Sequence, residues 1–139
     1  MMKKKLIIVS SIILLIICTI VLINPFKTKP FAKIKAEDIE SVELFLIPPN
    51  RTISVTDHTA IAMLTEILKE IELYQEDDSG RDYNGQLVQF TIVLKNGETH
   101  RIGAYNPFLF LNDKCYRTKY GPCEKLNALG NQLFNEYER

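Results

Sequence analysis

Residues 6–23 read LIIVSSIILLIICTIVLI and contain no charged side chain. As an α-helix this stretch would be about 27 Å long, close to the thickness of the hydrocarbon core of a bilayer. A helix that is apolar on every side needs lipid or a large protein interior around it, and the whole chain has only 139 residues. The stretch therefore predicts a transmembrane helix whose partner is the lipid bilayer.

Three lysines precede the stretch, as in secretory signals and in uncleaved anchors. A cleaved signal usually has a shorter apolar core that ends at a small-residue cleavage site, whereas this one ends in Asn-Pro-Phe-Lys at residues 24–27. Cys18 follows two isoleucines, so we interpret it as a small side chain that faces lipid and not as a lipidated cysteine. An uncleaved anchor is the favoured interpretation.

Lysines flank the stretch on both sides, so the positive-inside rule alone does not decide the orientation. The tail before the stretch is very short, and long domains translocate largely regardless of their charge. We therefore predict a cytoplasmic tail at residues 1–5, a transmembrane anchor at 6–23, a basic linker at 24–35 and an extracytoplasmic domain at 36–139.

Charge is distributed unevenly along the chain. Residues 1–35 contain seven lysines and no acidic side chain, while residues 36–139 contain ten basic and seventeen acidic side chains. The acidic balance of the domain argues against a nucleic-acid partner. The lysines of the linker suit anionic headgroups at about 1 kcal/mol each, and a simply solvated linker is the alternative.

The first half of the domain alternates strand and helix patterns. Strands are predicted at residues 39–47 and 52–56 from their alternating apolar side chains. The pair Thr56-Asp57 is expected to cap an amphipathic helix of about sixteen residues, whose apolar face extends to Tyr74. Residues 75–85 read as a polar loop, since their acidic side chains lack the spacing of a calcium-binding EF-hand.

Residues 86–105 predict a β-hairpin around an Asn-Gly pair. A two-residue loop would place Arg101 on the apolar face of the first strand. A three-residue loop with Gly97 in the left-handed conformation pairs Phe90 with Ile102 instead. We favour the three-residue loop because it keeps both apolar faces together.

The remaining chain predicts two short strands and a last helix. Residues 108–111 are apolar on both faces, residues 114–117 follow after a tight turn, and Gly121-Pro122 opens an amphipathic helix. The predicted order is β-β-α-β-β-β-β-α. This order is typical of an α+β domain with an antiparallel sheet on which two amphipathic helices pack.

Cys115 and Cys123 are the strongest candidates for covalent chemistry. Outside the cytoplasm they can form a disulfide, and the Gly-Pro turn between them makes the required approach feasible. We predict a structural disulfide. Two buried free thiols and a redox-active pair remain as alternatives, although the spacing is not Cys-x-x-Cys.

Other catalytic or metal-binding patterns are missing from the sequence. His58 and His100 do not form a metal-binding motif with each other or with a cysteine. No serine lies in a nucleophile elbow, and no glycine-rich phosphate loop is present. We therefore expect no metal, no cofactor and no catalytic residue.

Aromatic and basic residues interleave just before the last helix. Tyr116, Arg117, Lys119 and Tyr120 form a candidate interaction loop that could meet an anionic polymer or a phosphate. An ordinary surface loop, with the tyrosines packed on the sheet, is the alternative.

Four segments carry a resemblance to known proteins: residues 36–44, 83–86, 90–97 and 108–116. In these strand and turn patterns the domain resembles small cell-envelope proteins of low-GC Gram-positive bacteria that are membrane-anchored or lipoprotein-like. The resemblance implies an envelope location and a signal, lipoprotein or single-anchor start. It implies no activity.

The favoured hypothesis is a membrane-anchored extracytoplasmic module that binds a protein or an envelope component without catalysis. In a first alternative, the chain is an envelope thiol–disulfide enzyme, or another enzyme, that uses Cys115 and Cys123. In a second alternative, it is a sensor or an immunity-type regulator of a neighbouring membrane protein.

Overall fold

The computed structural model describes residues 1–23 and 27–139. Helix α1 spans Met2–Ile23, so the helix includes the lysines that precede the apolar stretch. The most apolar stretch of 18 residues within Met2–Leu22 has a mean hydropathy of 2.9, and none of it is buried inside the protein. By length and composition, α1 can cross a membrane.

The domain is an antiparallel sheet of seven strands with two helices, and the predicted α+β class is confirmed. Its strands lie in the order β2-β1-β4-β5-β6-β7-β3. The elements are β1 (Ile39–Ile47), β2 (Arg51–Ser54), α2 (His58–Glu70), β3 (Leu73–Glu76), β4 (Leu87–Leu94), β5 (Thr99–Tyr105), β6 (Phe108–Leu111), β7 (Lys114–Thr118) and α3 (Tyr120–Tyr137). Two short 3₁₀ segments, Ala36–Asp38 and Asp78–Asp82, join them.

The central β4–β5 hairpin has the predicted three-residue loop. Phe90 pairs with Ile102, and His100 lies opposite Ile92. Gly97 has a φ of 91°, a left-handed conformation that glycine adopts without steric cost. This register places the apolar side chains of both strands on the face that α2 and α3 cover.

Helix α3 lies unusually close to the sheet at Gly130. A Cβ atom there would overlap the Cγ1 atom of Val88 and would lie 3.3 Å from Cδ1 of Leu44. Asp57 caps the other helix as predicted, since its side chain accepts a hydrogen bond of 2.8 Å from the N–H of Ala60. The core lies between the two helices and this face of the sheet.

The segment after α2 differs from the prediction. The helix ends at Glu70, and Leu73 starts an edge strand where Tyr74 was expected to continue the helix. Leu73 pairs with Thr118 of β7 on one side and exchanges backbone hydrogen bonds of 2.8 and 2.9 Å with Thr28 on the other. The open edge of β7 thus gains a partner, which a longer helix would not supply.

The folded domain begins earlier than the predicted boundary at residue 36. Phe31 and Ile34 are buried in the core, and Thr28 already pairs with β3. Of the segment predicted as a linker, residues 24–26 lie outside the described residues, and the part from Thr28 onward belongs to the fold. The lysines of this segment led to its interpretation as a linker, although the side chains of Phe31 and Ile34 belong to the core.

Candidate functional site

Neither α2 nor α3 covers the second face of the sheet, which we call the open face. Strand alternation directs every second side chain there, and the register aligns them in rows across the strands. One row runs Thr52, Phe45, Gln89, Gly103, Phe110 and Cys115, and the next runs Ile47, Leu87, Tyr105, Phe108 and Arg117.

The 3₁₀ segment Asp78–Asp82, which we call the 3₁₀ cap, covers one side of the open face. Its Gly80 lies over Phe108 and Cys115, and a Cβ atom on this glycine would be 2.6 Å from the Cys115 sulfur. Asp77 anchors the cap because its backbone N–H donates a hydrogen bond of 2.9 Å to the Cys115 carbonyl. Phe108 and Cys115 are therefore buried, although no helix covers them.

Two arginines at the margin of the 3₁₀ cap converge on one residue of the β6–β7 turn. Arg81 donates a hydrogen bond of 2.6 Å to the backbone carbonyl of Asp113, and Arg101 donates one of 2.7 Å to its carboxylate. Arg81 also donates to the Asp78 carboxylate at 2.9 Å and lies 5.8 Å from the centre of the Phe110 ring. These contacts hold the two guanidinium groups at the surface without burying them.

A third arginine lies on the far side of the 3₁₀ cap. Arg117 donates a hydrogen bond of 2.7 Å to Asp77, and its guanidinium lies 5.9 Å from the centre of the Phe108 ring. Hydrogen bonds from Ser79 and from Arg117 lower the pKa of Asp77 to about 2. The ionised carboxylate of Asp77 thus joins the cap to strand β7.

This pKa predicts an acid-sensitive contribution to stability. Because the pKa of Asp77 is lower in the folded chain than its ordinary value of 3.8, the contribution is complete above about pH 4 and is lost as the pH falls towards 2. Asp77→Asn should lower the urea midpoint of the full-length chain in detergent micelles at pH 7. Between pH 4 and pH 2, the urea midpoint of this variant should fall less than that of the unchanged chain. Glu40→Gln, at an exposed carboxylate, is the control, and an equal flattening in both variants would contradict the assignment.

Aromatic side chains line a groove beside the cap. The rings of Tyr83 and Tyr105 meet edge to face at 5.2 Å, and Tyr105 lies 5.9 Å from Phe110. Leu87 and Phe110 flank the bare backbone of Gly103. The groove has a volume of about 270 Å³ and is lined by the exposed residues Ile47 and Arg81.

We give the name aromatic–arginine patch to the exposed and half-buried aromatic, branched apolar and arginine side chains on and around this groove. It combines flat aromatic rings and branched apolar side chains with guanidinium groups, and no lysine belongs to it. It consists of Phe45, Ile47, Arg81, Tyr83, Leu87, Arg101, Tyr105 and Phe110.

The predicted disulfide is not confirmed, because Cys115 and Cys123 are both buried free thiols. Cys115 pairs with Phe110 on the open face, while Cys123 belongs to the core on the helix-covered face and donates a hydrogen bond of 3.3 Å to the Phe108 carbonyl. The sheet therefore separates the two side chains. Burial raises the pKa of Cys115 and raises that of Cys123 to about 11, which keeps both thiols protonated at neutral pH.

The four residues of the predicted interaction loop do not share one surface. Tyr116 and Arg117 belong to strand β7, where Tyr116 packs against the core and Arg117 lies on the open face. Lys119 lies 4.0 Å from the Glu72 carboxylate, and Tyr120 is exposed at the first position of α3. Only Arg117 adjoins the patch.

The two histidines lie in different parts of the domain. His58 is the exposed first residue of α2. His100 contacts the ring of Phe31 edge to face at 5.4 Å and lies 3.5 Å from the Glu98 carboxylate. Within residues 1–23 and 27–139, no group of three or more histidines, cysteines and carboxylates could hold a metal ion.

Sequence reasoning did not identify the aromatic–arginine patch. One signal was present, since residues 108–111 are apolar on both faces and so imply a second face that is partly apolar. The polar run at residues 75–85 contains no comparable signal for Arg81 and Tyr83, because these side chains reach the sheet only in the tertiary fold.

No protein-family model, curated protein or solved structure matches this chain. The chemistry of the open face and the apolar helix α1 therefore supply the basis for a function.

Proposed function

We propose that this chain is a non-catalytic binding module, anchored in the cell membrane by α1, which binds a protein partner through the aromatic–arginine patch outside the cytoplasm. The patch is the observation that carries the proposal. Tyrosine, phenylalanine and arginine are the residue types enriched in protein interfaces and in their hot spots, whereas lysine is depleted there. The patch has this composition.

The exposure of the patch supports a binding role over a merely solvated face. Ile47 is 42% exposed and Tyr83 is 44% exposed, and both lie beside the apolar groove. Contiguous apolar surface with a polar rim is uncommon on soluble monomers and usually marks an interaction site. Arg81 and Arg101 supply that rim.

The arginines indicate the chemistry of the partner. A guanidinium group has five N–H donors, and the ion pairs of Arg81 and Arg101 with Asp78 and Asp113 use only some of them. The remaining donors can bind carboxylates on a partner. We therefore propose a protein surface in which apolar side chains, which fill the groove, lie between acidic ones.

The thiols support a non-catalytic function. A thiolate is the nucleophile in thiol–disulfide exchange, and burial favours the protonated form of both Cys115 and Cys123. The sheet between them also opposes their direct pairing. A thiol–disulfide enzyme would need a thiolate at neutral pH and two cysteines on the same side of the sheet.

The proposal predicts a cross-link that depends on the patch. Thr52→Cys places a thiol on the open face beside Phe45, and a membrane-impermeant maleimide that carries a photoreactive group can label it in intact cells. We expect labelling before lysis and a discrete protein adduct after illumination. Adding Phe45→Ser and Leu87→Ser should lower the adduct yield at least tenfold, because truncated hot spots cost about 2 kcal/mol or more.

Two controls accompany this experiment. Met63→Ser removes an exposed apolar side chain of α2 and should leave the yield unchanged, while Gln132→Cys places the probe on the exposed side of α3 and should give no adduct. Labelling only after lysis would contradict the external location. Equal adducts from both probe positions would overturn the role of the patch, and an adduct to polysaccharide would overturn the class of partner.

A further inference from the structure

A second cleft lies on the other side of the domain, between the N-terminal segment and the β4–β5 hairpin. Its volume is about 520 Å³. The charged and aromatic side chains that line it are Phe31, Lys33, Asp38, Lys95, Glu98 and His100. Nothing in the aromatic–arginine patch contributes to this cleft.

The lysines of this cleft differ from the other lysines of the domain. Residues 27–139 contain nine lysines, and six of them lie within 4.0 Å of a carboxylate. Among the lysines of residues 27–139, only Lys27, Lys33 and Lys95 have no such partner. Two of these three line the same cleft, although they are far apart in the sequence.

The acidic side chains of the cleft do not neutralise these two lysines. The carboxylate of Asp38 accepts a hydrogen bond of 3.2 Å from the backbone N–H of Lys35, and the carboxylate of Glu98 lies 3.5 Å from the His100 ring nitrogen. Both carboxylates are thus engaged within the fold. The exposed ammonium groups of Lys33 and Lys95 remain available to an external anion.

The fold holds the two lysines in a fixed arrangement. The backbone N–H of Lys95 donates a hydrogen bond of 2.9 Å to the carbonyl of Asp38, which ties the hairpin to the N-terminal segment. The contact between Phe31 and His100 joins the same two parts from the side of the core. The backbone segments that carry Lys33 and Lys95 are therefore held against each other at this cleft.

Chain connectivity keeps this surface near the end of the anchor. Lys27 follows Ile23, the last residue of α1, by four residues, and these span at most about 14 Å. The segment that includes Lys27 continues directly to Lys33. An anchored domain thus meets a high local concentration of lipid headgroups, which are the nearest source of anions.

We propose that Lys27, Lys33 and Lys95 bind the phosphate groups of anionic phospholipids and so dock the domain on the bilayer in one orientation. This inference rests on the membrane anchoring proposed above but not on a partner at the aromatic–arginine patch. Each lysine near an anionic surface should favour the docked state by about fivefold. Ion-paired lysines elsewhere on the domain take no part.

The test uses the full-length chain in lipid nanodiscs of phosphatidylcholine, with and without phosphatidylglycerol. Amine-reactive labelling, read lysine by lysine with mass spectrometry, measures protection. We expect Lys27, Lys33 and Lys95 to be labelled at least about fivefold more slowly with phosphatidylglycerol present, and Lys114 and Lys125 to be unchanged. Salt at 1 M should abolish the protection, because it shortens the screening length to about 3 Å.

A charge-matched pair of variants completes the test. Lys33→Glu with Lys95→Glu should remove the protection of Lys27 and increase the distance from Asn96 to the headgroups, measured by fluorescence transfer from a dye on Asn96→Cys. Lys114→Glu with Lys125→Glu changes the net charge equally and should alter neither readout.

Three outcomes would overturn the inference. Equal protection in both lipid mixtures would exclude an electrostatic contact with anionic lipid. If the two variant pairs had equal effects, the protection would depend on net charge alone and not on Lys33 and Lys95. If 10 mM inorganic phosphate gave the same protection in phosphatidylcholine nanodiscs, the cleft would be a site for soluble phosphate. A chain that failed to enter nanodiscs would instead contradict the anchor itself.

Discussion

Gly130→Ala should lower the free energy of unfolding by about 2 kcal/mol and the melting temperature by about 10 °C. The new Cβ atom would overlap Cγ1 of Val88 and crowd Leu44, which are both fully enclosed core side chains. Such overpacking costs about 3 kcal/mol, and the better helix propensity of alanine recovers only about 1 kcal/mol. Thermal unfolding of the full-length chain in detergent micelles, followed by tyrosine fluorescence, measures the change.

Gly121→Ala in the same helix is the matched control. No atom lies within 4 Å of the position that its Cβ would take, so we expect unchanged or slightly raised stability. Adding Val88→Ala to Gly130→Ala should make room for the new methyl group, with a coupling energy of at least about 1 kcal/mol. Additive losses in the double variant would show that the contact with Val88 does not set the helix position.

The second large expected effect concerns Gly80→Ala, which should increase the labelling rate of Cys115 about tenfold or more. A Cβ atom at this position would lie 2.6 Å from the Cys115 sulfur and 2.7 Å from Cγ of Phe108, so the 3₁₀ cap must move outwards. This overlap should destabilise the closed position of the cap by about 1–3 kcal/mol. The population of the open cap would then rise by about 5- to 150-fold. Cys115 is only 1% exposed in the closed state.

Cys123 serves as the internal reference in this experiment. It is a buried residue of α3, on the other side of the sheet, so opening of the 3₁₀ cap should not expose it. Labelling by a thiol reagent is followed by mass spectrometry in a Cys18→Ala background. Equal acceleration at both cysteines would indicate global destabilisation, and an unchanged rate at Cys115 would show that the cap does not control access to it.

Prediction from sequence succeeded where local patterns and a rigid turn act together. The alternation of β4 and the left-handed requirement at Gly97 were sufficient to assign the register of Phe90 against Ile102. Asp57 was recognised as a helix cap because capping depends only on residues within one turn. The apolar N-terminal helix was equally evident, since its signal is continuous along the chain.

Prediction failed where a residue's environment depends on distant parts of the chain. Leu73 suits the apolar face of a helix and the buried side of a strand equally well, and the open edge of β7 selects the strand. The two cysteines were expected to face each other, but strand parity directs Cys115 to the open face, away from Cys123. A shift of one residue in register would have reversed that direction.

The sequence by itself determined the apolar helix at the N-terminus, the α+β class, the register of the central hairpin and the segregation of charge. Each follows from neighbours in the chain, through hydropathy, side-chain periodicity or the conformation of one glycine. Only the tertiary structure decided that Arg81 and Tyr83 lie over the open face, and that Lys33 and Lys95 line one cleft. These juxtapositions arise because loops and terminal segments pack wherever the completed sheet and helices leave apolar surface uncovered, and no local pattern encodes that surface.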